Sequence, residues 1–174
     1  RVSRLNAHPL VDSYSDIAIV HNGILQGYES LRSELVSEGH TFLSETDSEV
    51  IAHLIEKNLK DGLKVEDAIL ECARQLQGTY AIGVMTRQEP GVLYALRNES
   101  PLLIGVGEGF HCFSSDPLTL GGLTDQVIWL EDGEIARIDR NSCRLLSIAD
   151  GREINREPET VTISAQAVDL NGHP

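Results

Sequence analysis

Three residues are best suited to chemistry: Asn22 and Gly23, which end the apolar run Asp16–His21, and Asp47, 25 positions after Asn22. An Asn side-chain amide beside a bare glycine N–H can receive the charge that develops on an attacked carbonyl. Losing one such donor typically costs about 10²–10³ in turnover. Glycine at that place lets the backbone approach closely or adopt a positive φ. Asp47 stands at the start of a strongly patterned helix, where a carboxylate could hold a substrate ammonium. Together the three suit an amino acid whose side-chain carbonyl is attacked. Each also has an ordinary alternative. Asn-Gly is the favoured two-residue hairpin turn, and a first-turn acid complements the helix dipole for about 0.3–1 kcal/mol. Asn6-Ala7-His8-Pro9 is a further loop that could line a site, with His8 and His21 as candidate bases. A lone histidine is more often structural.

No obvious nucleophile accompanies them. Cys72, Cys112 and Cys143 are odd in number, far apart and without metal or redox spacing. Cys72 falls on the apolar face of a helix and Cys112 within a strand, which predicts buried, inert thiols and a reducing, cytoplasmic setting. The six histidines form no HxH or HxxxH pair, so no metal centre is expected. There is no GxGxxG, no phosphate-binding GxxxxGK[ST] and no GxSxG elbow. The glycine-rich stretch Ile104–Gly109 carries no lysine and reads as a hairpin, and no cofactor is predicted.

The elements that must position these residues are legible from periodicity. Asp16–His21 reads as a buried strand. Tyr28, Leu31, Leu35 and Val36 recur at helical spacing, with Gly39 placed to end the helix. Thr46-Asp47-Ser48-Glu49 reads as a capping box, Thr46 accepting from the N3 amide and Glu49 reaching back, ahead of an Ile51-Leu54-Ile55-Leu59 stripe. A third helix carries Val65, Ala68, Ile69, Cys72, Ala73 and Leu76. After Gly78 the period turns strand-like. Tyr80–Met85 is apolar on both faces, the pattern of a strand covered on two sides. Six short strands follow to Ile148, and Ser115-Asp116-Pro117 caps a helical turn. From Gly151 the chain becomes polar and aperiodic, which predicts a domain over 1–150 and a surface tail or linker over 151–174. Helices segregated from strands give an α+β class.

A chain of 174 residues suits one domain with a real core. Its net charge of -13 argues against nucleic acid as a partner, since phosphate contacts need clustered basic residues. No stretch has the length and apolarity of a membrane-spanning helix.

Taken as an ordered set, Asn6-Ala7-His8-Pro9, His21-Asn22-Gly23-Ile24 and Ser44–Leu54 resemble the glutaminase domain of the glucosamine-6-phosphate synthase family. The resemblance continues through Gly78-Thr79-Tyr80-Ala81, Ser115-Asp116 and Leu130–Ala136, and fades after about Gly151. It implies a four-layer αββα sandwich of the N-terminal-nucleophile hydrolase type. It also implies hydrolysis of L-glutamine to glutamate and ammonia, which the parent uses to convert fructose 6-phosphate to glucosamine 6-phosphate. Asn22 and Gly23 would form the oxyanion hole, and Asp47 would bind the α-ammonium. The implied partners are L-glutamine, a sugar-phosphate isomerase domain of the same parent chain, and a second parent copy in a homodimer.

The family's nucleophile is an N-terminal Cys whose own amino group is the base. This sequence starts at Arg1, and no cysteine in it matches that pattern. The family's His-Thr-Arg-Trp-Ala-Thr-His-Gly segment has no counterpart either. The expectation is therefore an N-terminally truncated domain, inactive by itself. Two alternatives stand beside it: an amidophosphoribosyltransferase-like domain, against which His8 speaks, and a non-catalytic amino-acid-binding module.

Overall fold

The structure, a computed structural model, describes residues 4–162. Three amphipathic stretches form helices α1 (Tyr28–Ser37), α2 (Glu49–Lys60) and α3 (Val65–Gln75). The predicted stripe of α3 is buried from Val65 to Ala73, and Gly39, at φ +94°, follows the end of α1 as expected. The strands in chain order are β1 (Leu10–Val11), β2 (Ile17–Leu25), β3 (Gly78–Thr86), β4 (Leu93–Asn98), β5 (Leu103–Gly107), β6 (Phe110–Ser114), β7 (Gln126–Trp129), β8 (Glu134–Ile138), β9 (Cys143–Ser147), β10 (Glu153–Ile154) and β11 (Glu159–Thr160). They build a seven-stranded sheet, β1-β2-β3-β4-β8-β9-β10, and a four-stranded sheet, β11-β7-β5-β6.

Alternation along the strands separates two cores. Ile82, Val84, Leu96, Ile135 and Leu146 pack against the helices, with Ile51, Ile55, Ile69 and Cys72 opposite. Their neighbours Ala81, Ala95, Ala136, Ile138 and Leu145 face the second sheet and meet Leu102, Ile104, Ile128 and Leu130. The small side chains at three of these positions let the sheets approach closely. This explains why Tyr80–Met85 reads apolar on both faces. The outer face of the smaller sheet is covered by Leu120, on the 3-10 turn Pro117–Leu120, together with Val161. Asp116 caps that turn as predicted, accepting from Leu118 N at 2.8 Å.

The α+β class with two stacked sheets is therefore present. Among the described residues α1–α3 cover one outer face, and the 3-10 turn Pro117–Leu120 lies on the other. Residues 151–162, read in sequence as the start of a polar tail, add β10 to one sheet and β11 to the other. Arg156 fixes them through a two-pronged contact with the buried Glu134, at 2.7 and 2.8 Å. Polarity there reflects an edge position, and two-residue strands are too short to show alternation. Residues 163–174 lie outside the described part. Among the described residues no helix is long and apolar enough to cross a membrane.

Candidate functional site at the open edge of β2

The strand predicted over Asp16–His21 extends to Leu25, so Asn22 and Gly23 lie inside it, opposite Ala81 and Tyr80. The hairpin-turn alternative does not apply. Backbone parity then decides where their polar groups point. Asp12 N donates to Ile17 O, and Leu25 N donates to Asp47 Oδ2, so odd-numbered residues of β2 face away from β3. Ile24 N donates to Thr79 Oγ1 and Gln26 N to Gln77 O, so even-numbered ones face β3. β1 pairs only with Ala18 and Ile19. Gly23 N–H thus points to an edge that no strand covers among the described residues.

Gly23 is required there on steric grounds. Its φ is +141°, and a Cβ would stand 2.1 Å from the Thr79 carbonyl oxygen. The Asn22 side chain rises on the opposite face of β2 from His21. It is exposed and borders a cleft of about 270 Å³ with His8, Phe113, Ser114 and Ser115.

Asp47 is half-buried and lies two residues before α2. Its Oδ2 accepts from Leu25 N at 2.8 Å and its Oδ1 from Ser48 Oγ at 3.3 Å. Ser48 Oγ also meets His21 Nδ1 at 2.8 Å. Ser48 thus bridges Asp47 and His21, whose other ring nitrogen is Nε2. That atom is buried and has no hydrogen-bond partner. Burial lowers the pKa of His21, although the charge of Asp47 opposes the shift. His21 is therefore a neutral strut beneath Asp47, a structural role, while His8 stands exposed at the cleft.

Helix α2 does not begin with the predicted capping box. Ser48 occupies the cap position and makes no side-chain capping bond. Glu49 reaches instead into the preceding loop, accepting from Leu43 N at 2.7 Å, Ser44 N at 2.6 Å and Ser44 Oγ at 2.5 Å. Burial alone would raise the Glu49 carboxyl. Hydrogen bonding, His53 and Ser44 foremost, outweighs it and holds the pKa at about 2. The loop is tied further by Asn6 Oδ1, which accepts from Glu45 N at 3.1 Å. Asn6 and Ser44 buttress the segment carrying Asp47, and Ser48 the carboxylate itself. Sequence reasoning gave Ser44 and Ser48 no role, and the Glu49 spacing was the signal available.

Asn22 and Asp47 do not line one cavity among the described residues. They flank one strand edge: Gly23 N and Leu25 N, two residues apart, are separated by roughly 6.6 Å along β2. The three thiols lie elsewhere. Cys72 is buried on α3 with Sγ 3.8 Å from Ile51 O, Cys112 packs on Gly105, and Cys143 lies on β9.

Comparison with known proteins fits this geometry. Residues 2–121 match the family described as glutamine amidotransferase domain. The glutamine–fructose-6-phosphate aminotransferase (isomerizing) of Methanothermobacter thermautotrophicus is 42% identical over 170 residues, covering 97% of this chain and 28% of that protein. The enzyme of the same name from Escherichia coli K12 is 44% identical over 155 residues, covering 89% and 25%. The chain thus spans little more than a quarter of the length of these relatives. Among solved structures, the glutamine phosphoribosylpyrophosphate amidotransferase of B. subtilis superposes with a TM-score of 0.70 at 24% identity, over 84% of this chain and 32% of that one.

Proposed function

The chain belongs to the glutamine amidotransferase domain family, and we propose that it is the glutaminase part of a glutamine–fructose-6-phosphate aminotransferase. In that reading the parent hydrolyses L-glutamine to glutamate and ammonia, and a sugar-phosphate isomerase domain uses the ammonia to make glucosamine 6-phosphate. The observation that carries it is the open edge of β2, where an uncovered glycine N–H lies two residues from the backbone amide that anchors Asp47.

Attack on the side-chain carbonyl of glutamine would give a tetrahedral oxyanion. Gly23 N–H, fixed before the reaction by its place in a strand, and the Asn22 amide would receive its charge. Asp47 keeps acceptor capacity beyond its two protein bonds, which suits a three-donor ammonium. Serine and backbone donors hold the carboxylate in place, so orientation costs little on binding. His21 would act through Ser48 and Asp47 rather than on substrate. None of the three cysteines adjoins this edge, so the reading assigns the attacking thiol to a residue outside these 174.

The test is ammonia release from L-glutamine by the full-length parent and by its Asn22→Ala and Asp47→Ala variants. Asn22→Ala is expected to lower kcat by about 10²–10³, and Asp47→Ala to raise KM. Full kcat in Asn22→Ala would overturn the assignment. A parent that binds glutamine without releasing ammonia would leave a binding module.

A further inference from the structure

Behind the glutamine edge, three ligand-type atoms from two elements converge on one point. His40 Nδ1 lies 3.0 Å from Glu56 Oε2, His53 Nδ1 lies 3.1 Å from the same oxygen, and the two nitrogens are 3.3 Å apart. All three residues are buried, His53 completely. We infer that His40, His53 and Glu56 form a binding site for a zinc-class divalent cation, tying the loop after α1 to helix α2.

The spacing is the first argument. Ligands about 2.0–2.1 Å from a tetrahedral zinc ion lie about 3.3 Å from one another. The observed triangle of 3.0, 3.1 and 3.3 Å has nearly those edges. Two imidazole nitrogens and one carboxylate oxygen also form a donor set that zinc accepts.

Crowding is the second. Glu56 Oε2 is approached by His40 Nδ1, His53 Nδ1, Ser13 Oγ at 3.0 Å and Ser13 N at 3.4 Å. A carboxylate oxygen offers about two lone-pair sites, so four donors overfill it. Its partner Oε1 meets Lys60 at 2.6 Å. Turning the two nitrogens from donors into ligands relieves the excess.

The far side of His53 is the third. Its Nε2 is buried and faces Glu49 Oε1 at 3.5 Å. If Nδ1 of a neutral His53 donated to Glu56, a lone pair would confront the Glu49 carboxylate. With Nδ1 on a cation, Nε2 carries the proton and points it at Glu49, the carboxylate–histidine–metal arrangement of metal sites. The sequence hides this set because His40 lies 13 residues before His53, outside any short histidine motif.

The experiment is titration of the chelator-treated full chain with Co²⁺, then Zn²⁺, following visible d–d absorption and bound metal per chain. One equivalent with a tetrahedral cobalt spectrum is expected. His40→Gln should weaken it at least about 100-fold, while His111→Ala leaves it unchanged. No stoichiometric binding by the wild type, or equal binding by His40→Gln, overturns the site. Should His40→Gln fail to fold, X-ray absorption on the zinc-loaded wild type decides. Two imidazole nitrogens and one or two oxygens at about 2.0–2.1 Å support it, and an all-oxygen shell refutes it.

Discussion

Replacing Gly23 by alanine is expected to destabilise the chain by about 4 kcal/mol. The new Cβ would stand 2.1 Å from the Thr79 oxygen and 2.7 Å from its carbonyl carbon. Carbon contacts become comfortable near about 3.5 Å, so β2 and β3 must part by more than about 1 Å there. Thr79 cannot retreat freely, because on its other side Gly78 O accepts from Asn98 Nδ2 and Tyr80 bridges to Glu99. Parting the strands forfeits about two ladder hydrogen bonds at roughly 0.5–1.5 kcal/mol each. Holding alanine at φ +141° adds about 1–3 kcal/mol. Gly83→Ala provides the contrast. Its Cβ would meet the Phe113 ring at 2.2 Å, but that ring is half-buried at a cleft and can swing aside. A cost of about 1–2 kcal/mol is expected for it. Urea unfolding followed by the single tryptophan, Trp129, measures both. A Gly23→Ala cost below about 1 kcal/mol, or one no larger than that of Gly83→Ala, refutes the close-approach argument.

Glu49→Gln leaves one carbonyl oxygen to accept what two carboxylate oxygens now accept from Leu43 and Ser44. A loss of about 2–3 kcal/mol in chemical denaturation is expected. Arg156→Ala leaves buried Glu134 without its two-pronged partner. It should cost about 2–4 kcal/mol and open residues 151–162 to limited proteolysis. Burial pushes the Cys143 thiol up to about 11. Its thiolate is therefore scarce at pH 8 and appears only as pH approaches 11. Alkylation of Cys143 in the folded chain should be more than about 100-fold slower at pH 8 than in unfolded chain, rising tenfold per pH unit. A plateau near pH 8.5 would contradict the shift.

Periodicity carried most of the fold. The stripe from Val65 to Ala73 fixed α3 because each apolar residue had one inward face to occupy. The double-sided Tyr80–Met85 run correctly implied a strand between two layers. Non-local pairing was not readable. Asn22-Gly23 looks like a hairpin locally, and only the β3 ladder makes it strand interior. The Thr46–Glu49 spacing suggested a cap, yet Glu49 serves Leu43 and Ser44, whose amides would otherwise be buried unpaired. At the candidate site residue type and position singled out Asn22, Gly23 and Asp47, and the resemblance gave them roles. The supporting bonds of Ser48, His21 and Leu25 depend on distances that no spacing encodes.

The docking of β10 and β11 on opposite sheets bears on how the chain is made. Synthesis delivers the amino-terminal end first, so every strand from β1 to β9 has emerged and can pair before residues 151–162 emerge. Until then the outer edges of β9 and β7 stand open, and open edges recruit foreign strands. The clasp is thus the last stretch of the described chain to leave the ribosome. Susceptibility to mispairing becomes a question of timing: a pause in translation after β7 and β9 have left the ribosome and before residues 151–162 have would prolong it without altering the finished molecule.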